Sequence, residues 1–155
     1  MATISVLFIC LGNICRSTMA EAVFQRKVAD AGLQNQIAID SAATSRWEIG
    51  QPPHPGTRRI LREKNIAYDH RARQITQKDM DTHDYLITMD EENWNDVHAL
   101  GPARGSVVRL MEYAPEARER EIADPYYSGD FEGVYGQIDA ATDGLLQALR
   151  RDHVL

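Results

Sequence analysis

Five residues, Leu11-Gly12-Asn13-Ile14-Cys15, separate Cys10 from Arg16, and Ser17 follows directly. A thiol and a guanidinium at that spacing can work on one oxyanion if the chain between them curls. Gly12 can take a positive φ at no steric cost, and Asn13 is among the few other residues that tolerate one. Arg16 can hold two phosphate oxygens with parallel hydrogen bonds, a geometry lysine lacks. A thiol facing backbone N–H groups, an arginine and a helix start is expected to ionise readily and act as a nucleophile. Ser17 can donate a hydrogen bond to that sulfur. The competing reading of Cys10 is an inert thiol closing a core strand.

Such chemistry needs a proton donor for the leaving group. Asp124, in Ile122-Ala123-Asp124-Pro125-Tyr126-Tyr127, is the candidate. Pro125 stiffens the chain beside it, and Tyr126 and Tyr127 could wall a slot for an aromatic group. A plain surface Asp-Pro turn is the alternative. Cys15 has three readings. It is a loop residue contributing only its backbone, a partner for a reversible disulfide with Cys10, or a zinc ligand. Zinc needs about four ligands, and His54, His70, His83, His98 and His153 fall in no ligand-like spacing, so no metal is expected. Thr18-x-x-Glu21 fits a capping box, with Ser17 as the other candidate N-cap.

These residues need elements to position them. Ile4 to Ile9 is an apolar run of strand length, and Ala20, Val23, Phe24 and Val28 follow at helical spacing up to a stop at Gly32. The Cys10 loop therefore joins a strand to a helix N-terminus, which favours anion binding. Further strands are predicted at 37–42, 85–89 and 105–110. A helix is predicted at 55–64 with Pro55 as its first residue, another at 90–99 capped by Asp90, and a long one along Val134, Ile138, Ala141, Leu145, Leu146 and Leu149. Residues 43–56 and 112–132 read as loops, and 66–80 shows no periodicity. Trp47 and Ile49, in the first loop, either close over the core or wall a pocket. Alternating strands and helices predict an α/β domain with a largely parallel sheet and helices on both faces. In such sheets ligands bind at the C-terminal ends of the strands, where the Cys10 loop lies.

The chain has 155 residues, with no repeat, linker or low-complexity tract, so a single domain over 1–155 is expected. Hydrophobic content of 43% and charged content of 26% fit a folded globule. The net charge of −6 argues against nucleic acid or an acidic membrane surface as partner. The one dense basic stretch, Arg58 to Arg73, reads as a solvated helix face and loop. No apolar run approaches a membrane span, and no basic region precedes Ile4, so membrane insertion and a signal peptide are not expected. Two cysteines make no disulfide framework, which points to the cytoplasm.

Taken together, these residues resemble the low-molecular-weight protein tyrosine phosphatases over the whole chain. The loop from Cys10 to Ser17 and the Asp124-Pro125-Tyr126 motif look like the family's two signatures. Asp40-Ser41-Ala42-Ala43-Thr44-Ser45, His70-Arg71-Ala72-Arg73-Gln74-Ile75-Thr76 and Met89-Asp90-Glu91 look like its landmarks. The resemblance implies a three-layer α/β/α fold with a central four-stranded parallel sheet, and two-step hydrolysis of phosphotyrosine without a cofactor. In that scheme Cys10 forms a phosphocysteine, Arg16 and the loop amides of Leu11, Gly12, Asn13, Ile14, Cys15 and Ser17 hold the phosphate, and Asp124 is the general acid and base. Asn13, Ser41 and His70 match residues that support the loop, and Trp47, Tyr126 and Tyr127 match the substrate cleft. Thr18 stands where the family usually has proline. The expected partners are tyrosine-phosphorylated proteins, with the chain a monomer or weak dimer. Arsenate reduction through further cysteines is disfavoured, since none follows Cys15. Phosphoarginine hydrolysis is disfavoured because Ile14 replaces the threonine found in those relatives. A noncatalytic phosphopeptide-binding module would have no use for both Cys10 and Asp124.

Overall fold

The computed structural model describes residues 3–155; Met1 and Ala2, part of the stretch read as lacking a leader, lie outside the described residues. Strand β1 (Ile4–Cys10) is the centre of the molecule. It pairs in parallel with β2 (Ile37–Ala43) on one side and β3 (Tyr85–Thr88) on the other, and β3 pairs in parallel with β4 (Ser106–Arg109). The order is β2-β1-β3-β4. A strand covered on both faces must be apolar nearly throughout, and every residue of β1 except Ser5 is buried.

Successive side chains of β1 leave on opposite faces. Val6, Phe8 and Cys10 meet one layer, made by α1 (Arg16–Asp30), α2 (Pro55–Glu63) and α6 (Phe131–His153). Phe8 and Phe24 meet there edge to face, with centroids 5.8 Å apart. Leu7 and Ile9 meet the other layer, which holds Met80 from α3 (Gln77–Thr82) and Val97 from α4 (Glu91–Leu100). This is the three-layer α/β/α arrangement. Among the described residues, no helix is long and apolar enough to cross a membrane.

The fold departs from the sequence expectations at three places. The segment 66–80 runs into α3, whose capping box joins Thr76 and Asp79, and Gln74 adds a bridge to Ala43. The region 112–132, expected to be mostly loop, opens within a 3-10 turn at Leu110–Tyr113 and contains a helix, α5 (Pro125–Ser128). At the start of α1 the N-cap residue is Cys15, with no side-chain cap. Thr18 instead bonds backwards to the carbonyls of Ile14 (2.9 Å) and Cys15 (3.1 Å), and Glu21 accepts from Ser41 and Tyr68 and, within the helix, from Gln25. Of the two residues expected to let the Cys10 loop curl, Asn13 takes the left-handed conformation, at φ 56°, and Gly12 is not among the residues of positive φ.

Topology places the site. Beyond β1 the chain crosses to β2, and beyond β3 it crosses the opposite way to β4, so the loops leaving β1 and β3 diverge and open a crevice between them. The Cys10 loop leaves β1 there, and Asp90 follows β3 there.

Candidate active site

Cys10, Leu11, Gly12, Ile14, Cys15, Trp47, Asp124, Tyr126 and Tyr127 line one cleft at this crevice, together with Glu48. The thiol of Cys10 lies 3.0 Å from Ser17 Oγ and 3.5 Å from the Ser17 backbone nitrogen. Ser17 is the second residue of α1, so the sulfur faces the positive end of that helix.

The direction of the hydroxyl bond follows from its neighbours. Asn13 Nδ2 donates to Ser17 Oγ (2.7 Å) and to Ser41 Oγ (2.9 Å). Asn13 Oδ1 accepts from the Arg73 backbone N–H (3.2 Å) and lies 2.8 Å from His70 Nε2. Ser41 passes its own proton to Glu21 Oε1 at 2.6 Å. Ser17 Oγ therefore accepts from Asn13 and keeps its proton for Cys10. Ser41 and His70, expected as loop supports, are brought to Asn13 from β2 and from the segment before α3. This buried lattice fixes the unusual φ of Asn13, which would otherwise be costly.

Arg16 is 2% exposed. Its Nη1 donates to Asp90 Oδ2 (2.6 Å) and to the Ile122 carbonyl (2.9 Å), and Nη2 lies 3.4 Å from Asp124 Oδ2. Burial works against the charge, but the Cys10 sulfur, Asp90 and Asp124 outweigh it and hold the guanidinium pKa above its ordinary value. Nε is buried with no partner among the described residues, a donor left for an oxyanion. Asp124 caps α5 by accepting from Tyr126 N–H at 3.1 Å. The Ile122 amide is tied to the Met89 carbonyl at 2.9 Å. The Asp124 loop is thus anchored to Arg16 and to Met89, the residue that follows β3. Arg120 steadies its approach by donating to the carbonyls of Met111, Ala114 and Ala117.

Cys15 is also buried. Burial, then the nearness of Cys10 and Asp124, pushes its pKa far above the ordinary thiol value, so it is protonated at neutral pH. Both cysteines are free. Trp47 is 73% exposed, Tyr126 56% and Tyr127 76%, so these rings form a rim rather than plugging the core.

Several participants escape the sequence reading. Asp90 is read as a helix cap and as part of the Met89-Asp90-Glu91 landmark, with no contact to Arg16 foreseen. It does cap Asn93 N–H (2.8 Å), but its other oxygen holds Arg16. Glu21 is read as a capping-box member, yet it accepts from Ser41 and from Tyr68 Oη, both at 2.6 Å. Burial raises its pKa despite these bonds. Its place one turn after Ser17, on the same helix face, is the signal that could have revealed it. Glu48 brings a carboxylate to the rim, and only its adjacency to Trp47 hints at it.

A central parallel sheet whose first strand delivers Cys-x5-Arg-Ser to the crevice, opposite an aspartate, is the plan of a cysteine-dependent phosphatase. The comparisons narrow this further. The family model for low molecular weight phosphotyrosine protein phosphatase matches residues 5–155. The low molecular weight protein-tyrosine-phosphatase YfkJ of Bacillus subtilis (strain 168) is 42% identical over 155 residues, 98% of this chain and 99% of that protein. Its crystal structure superposes with a TM-score of 0.95, covering 98% of each chain at 41% identity. DARP, a drosophila arginine phosphatase, superposes with a TM-score of 0.87 at 30% identity, over 94% of this chain and 97% of that one. The chain belongs to the low molecular weight phosphotyrosine protein phosphatase family.

Proposed function

We propose that the 155 residues form a single phosphatase domain that hydrolyses protein phosphotyrosine and small aryl phosphates through a phosphocysteine. The observation that carries this reading is the meeting of nucleophile and acid: Cys10 and Asp124 line one cleft, with Arg16 Nη2 3.4 Å from Asp124. In the first step Cys10 Sγ attacks phosphorus in line with the ester oxygen. The S–P bond forms as the P–O bond breaks, and Asp124 gives its proton to the departing phenolate oxygen. Arg16 and the loop amides carry the charge on the equatorial oxygens. In the second step Asp124, now a carboxylate, takes a proton from water as the water oxygen attacks phosphorus. Inorganic phosphate leaves, and the returning thiolate receives the Ser17 hydroxyl proton as a hydrogen bond.

The rings of Trp47, Tyr126 and Tyr127 favour an aromatic leaving group. Ile14 gives the cleft an apolar wall with no hydroxyl for a guanidinium, which supports phosphotyrosine over phosphoarginine. The test is hydrolysis of matched phosphotyrosine, phosphoserine and phosphoarginine substrates at mildly acidic pH, with chelator present. Phosphotyrosine should lead in kcat/KM, and a lead for phosphoarginine overturns the reading. Cys10→Ser should lose at least about 10⁴-fold in kcat and yield no trapped phosphocysteine; normal turnover by that variant sinks the mechanism.

A cytoplasmic setting fits two free thiols. There peroxide would oxidise Cys10 to a sulfenic acid, and the Cys15 thiol would condense with it to a disulfide, releasing water. Reductant should then restore the native chain but not Cys15→Ser. Equal recovery of both refutes the protective role.

A further inference from the structure

His54 stands behind the rim and joins three parts of the molecule. Its backbone N–H donates to the Ile14 carbonyl of the Cys10 loop at 2.8 Å. Its ring Nδ1 accepts from Gly56 N–H at 3.0 Å and caps α2. Imidazole is not among the usual N-cap side chains. An aspartate, serine or asparagine would meet the same N–H, so capping alone does not explain a ring at this place.

The ring has a second set of contacts. One face stacks on Phe131, with centroids 4.9 Å apart and planes 22° from parallel. Tyr126 meets it edge to face, at 5.9 Å and 78°. Tyr126 in turn meets Tyr127 at 5.3 Å and 77°. A continuous series of rings therefore runs from the first residue of α6, through His54, to the two tyrosines of the rim. The stack depends on Gly56. A Cβ there would lie 2.5 Å from the Phe131 ring, so only glycine lets Phe131 settle over the start of α2 and against His54. Capping also fixes the ring plane, because Nδ1 must point at the Gly56 N–H. Tyr126 is 56% exposed, and its described ring contacts are His54 and Tyr127, the latter more exposed still. His54 is thus the one buried-side support for that wall among these contacts.

We propose that His54 is a positioning residue for aryl-phosphate binding, holding Tyr126 at the angle at which it walls the cleft. This rests on the reading of Tyr126 as a cleft wall. His54 touches neither substrate nor reacting atoms; it acts through Tyr126, and so bears on KM rather than on the bond-breaking steps.

Two substitutions separate the tasks. His54→Asn keeps a capping acceptor and removes the ring. His54→Phe keeps a ring for Tyr126 and Phe131 and removes the acceptor. With a phosphotyrosine peptide, His54→Asn should raise KM about three- to tenfold, the scale of one aromatic pair, with kcat held within about twofold. Inhibition by inorganic phosphate, which needs only the loop floor, should keep its constant. His54→Phe should show a lower Tm from the lost cap and a KM nearer the native value than His54→Asn. Combining His54→Asn with Tyr126→Ala should raise KM no further than Tyr126→Ala alone. The inference is overturned if His54→Asn leaves KM unchanged while Tyr126→Ala raises it. It is also overturned if phosphate inhibition weakens in step with KM, since His54 would then act through the Ile14 carbonyl. If Tyr126→Ala itself leaves KM unchanged, the cleft-wall reading fails and the inference falls with it.

Discussion

Asn13, Arg16 and Ser17, at the floor of the cleft, are 0%, 2% and 0% exposed, whereas Trp47, Tyr126 and Tyr127, at its rim, are 73%, 56% and 76% exposed. The floor is held by bonds drawn from β2, α1, the segment before α3 and the residue after β3. The rim hangs on few contacts: Asp124 caps a helix of four residues, and Tyr126 leans on His54. In the proposed mechanism the floor meets only the phosphate, which is the same in every monoester, so its geometry can be fixed completely and its dipoles pre-set for the transition state. The rim would meet the part of the substrate that varies. Exposure there leaves room for different sequences around a phosphorylated side chain, at the cost of looser placement.

The contrast can be broken in graded steps. Asp124→Ala should have the largest effect of this set, lowering kcat about 10²- to 10⁴-fold for phenyl phosphate and less for p-nitrophenyl phosphate, whose leaving group needs little help. Equal losses across leaving groups would mean that Asp124 only anchors Arg16. Trp47→Ala should be milder, raising KM for phosphotyrosine peptides about three- to tenfold with kcat nearly unchanged. A kcat loss matching the KM change would show that floor and rim are not separable.

The smallest effect is one of stability. Burial holds the Glu21 carboxyl above its ordinary value of 4.5. The folded chain therefore binds that proton more tightly than the unfolded one. Its contribution to folding is complete below about pH 4.5 and is lost as pH rises through the raised folded value. Asp79 has the opposite sign. Burial raises its pKa, but bonds from Arg73 and Thr76 outweigh burial, so its contribution is present above pH 3.8 and is lost as pH falls through the lowered folded value. Glu21→Gln should flatten the fall in Tm as pH rises above about 4.5 while leaving the acid limb at Asp79. An unchanged slope would place the proton elsewhere in the Ser41–Tyr68 lattice.

Sequence made the sheet legible because each strand is an apolar run between polar breaks, and β1 is long enough to be recognised alone. Cys10, Arg16 and Asp124 were legible because few other tasks bring those types together beside a strand end and a proline. Elements shorter than two helical turns were not. α3 has six residues and α5 four, too few for periodicity to register, although Thr76 and Asp79 carried the capping signal. The Thr18–Glu21 capping box failed for a different reason. Local rules could not know that Ser41 and Tyr68, distant in sequence, would offer Glu21 better donors, or that Thr18 would turn back to the loop carbonyls. Sequence offered both Gly12 and Asn13 for the left-handed position and could not choose between them, since the bonds that hold Asn13 come from Ser41, His70 and Arg73.

Those bonds to Asn13 also set an order of events in folding. The residues that shape the Cys10 loop lie 28, 57 and 60 positions beyond Asn13 along the chain. α1 can form early from local contacts, but the loop before it acquires its native curvature only after the chain through Arg73 has docked. Non-local closures of this kind are slow. Enzymatic activity is therefore a late reporter of refolding: after dilution from denaturant, helical signal should return first and turnover afterwards.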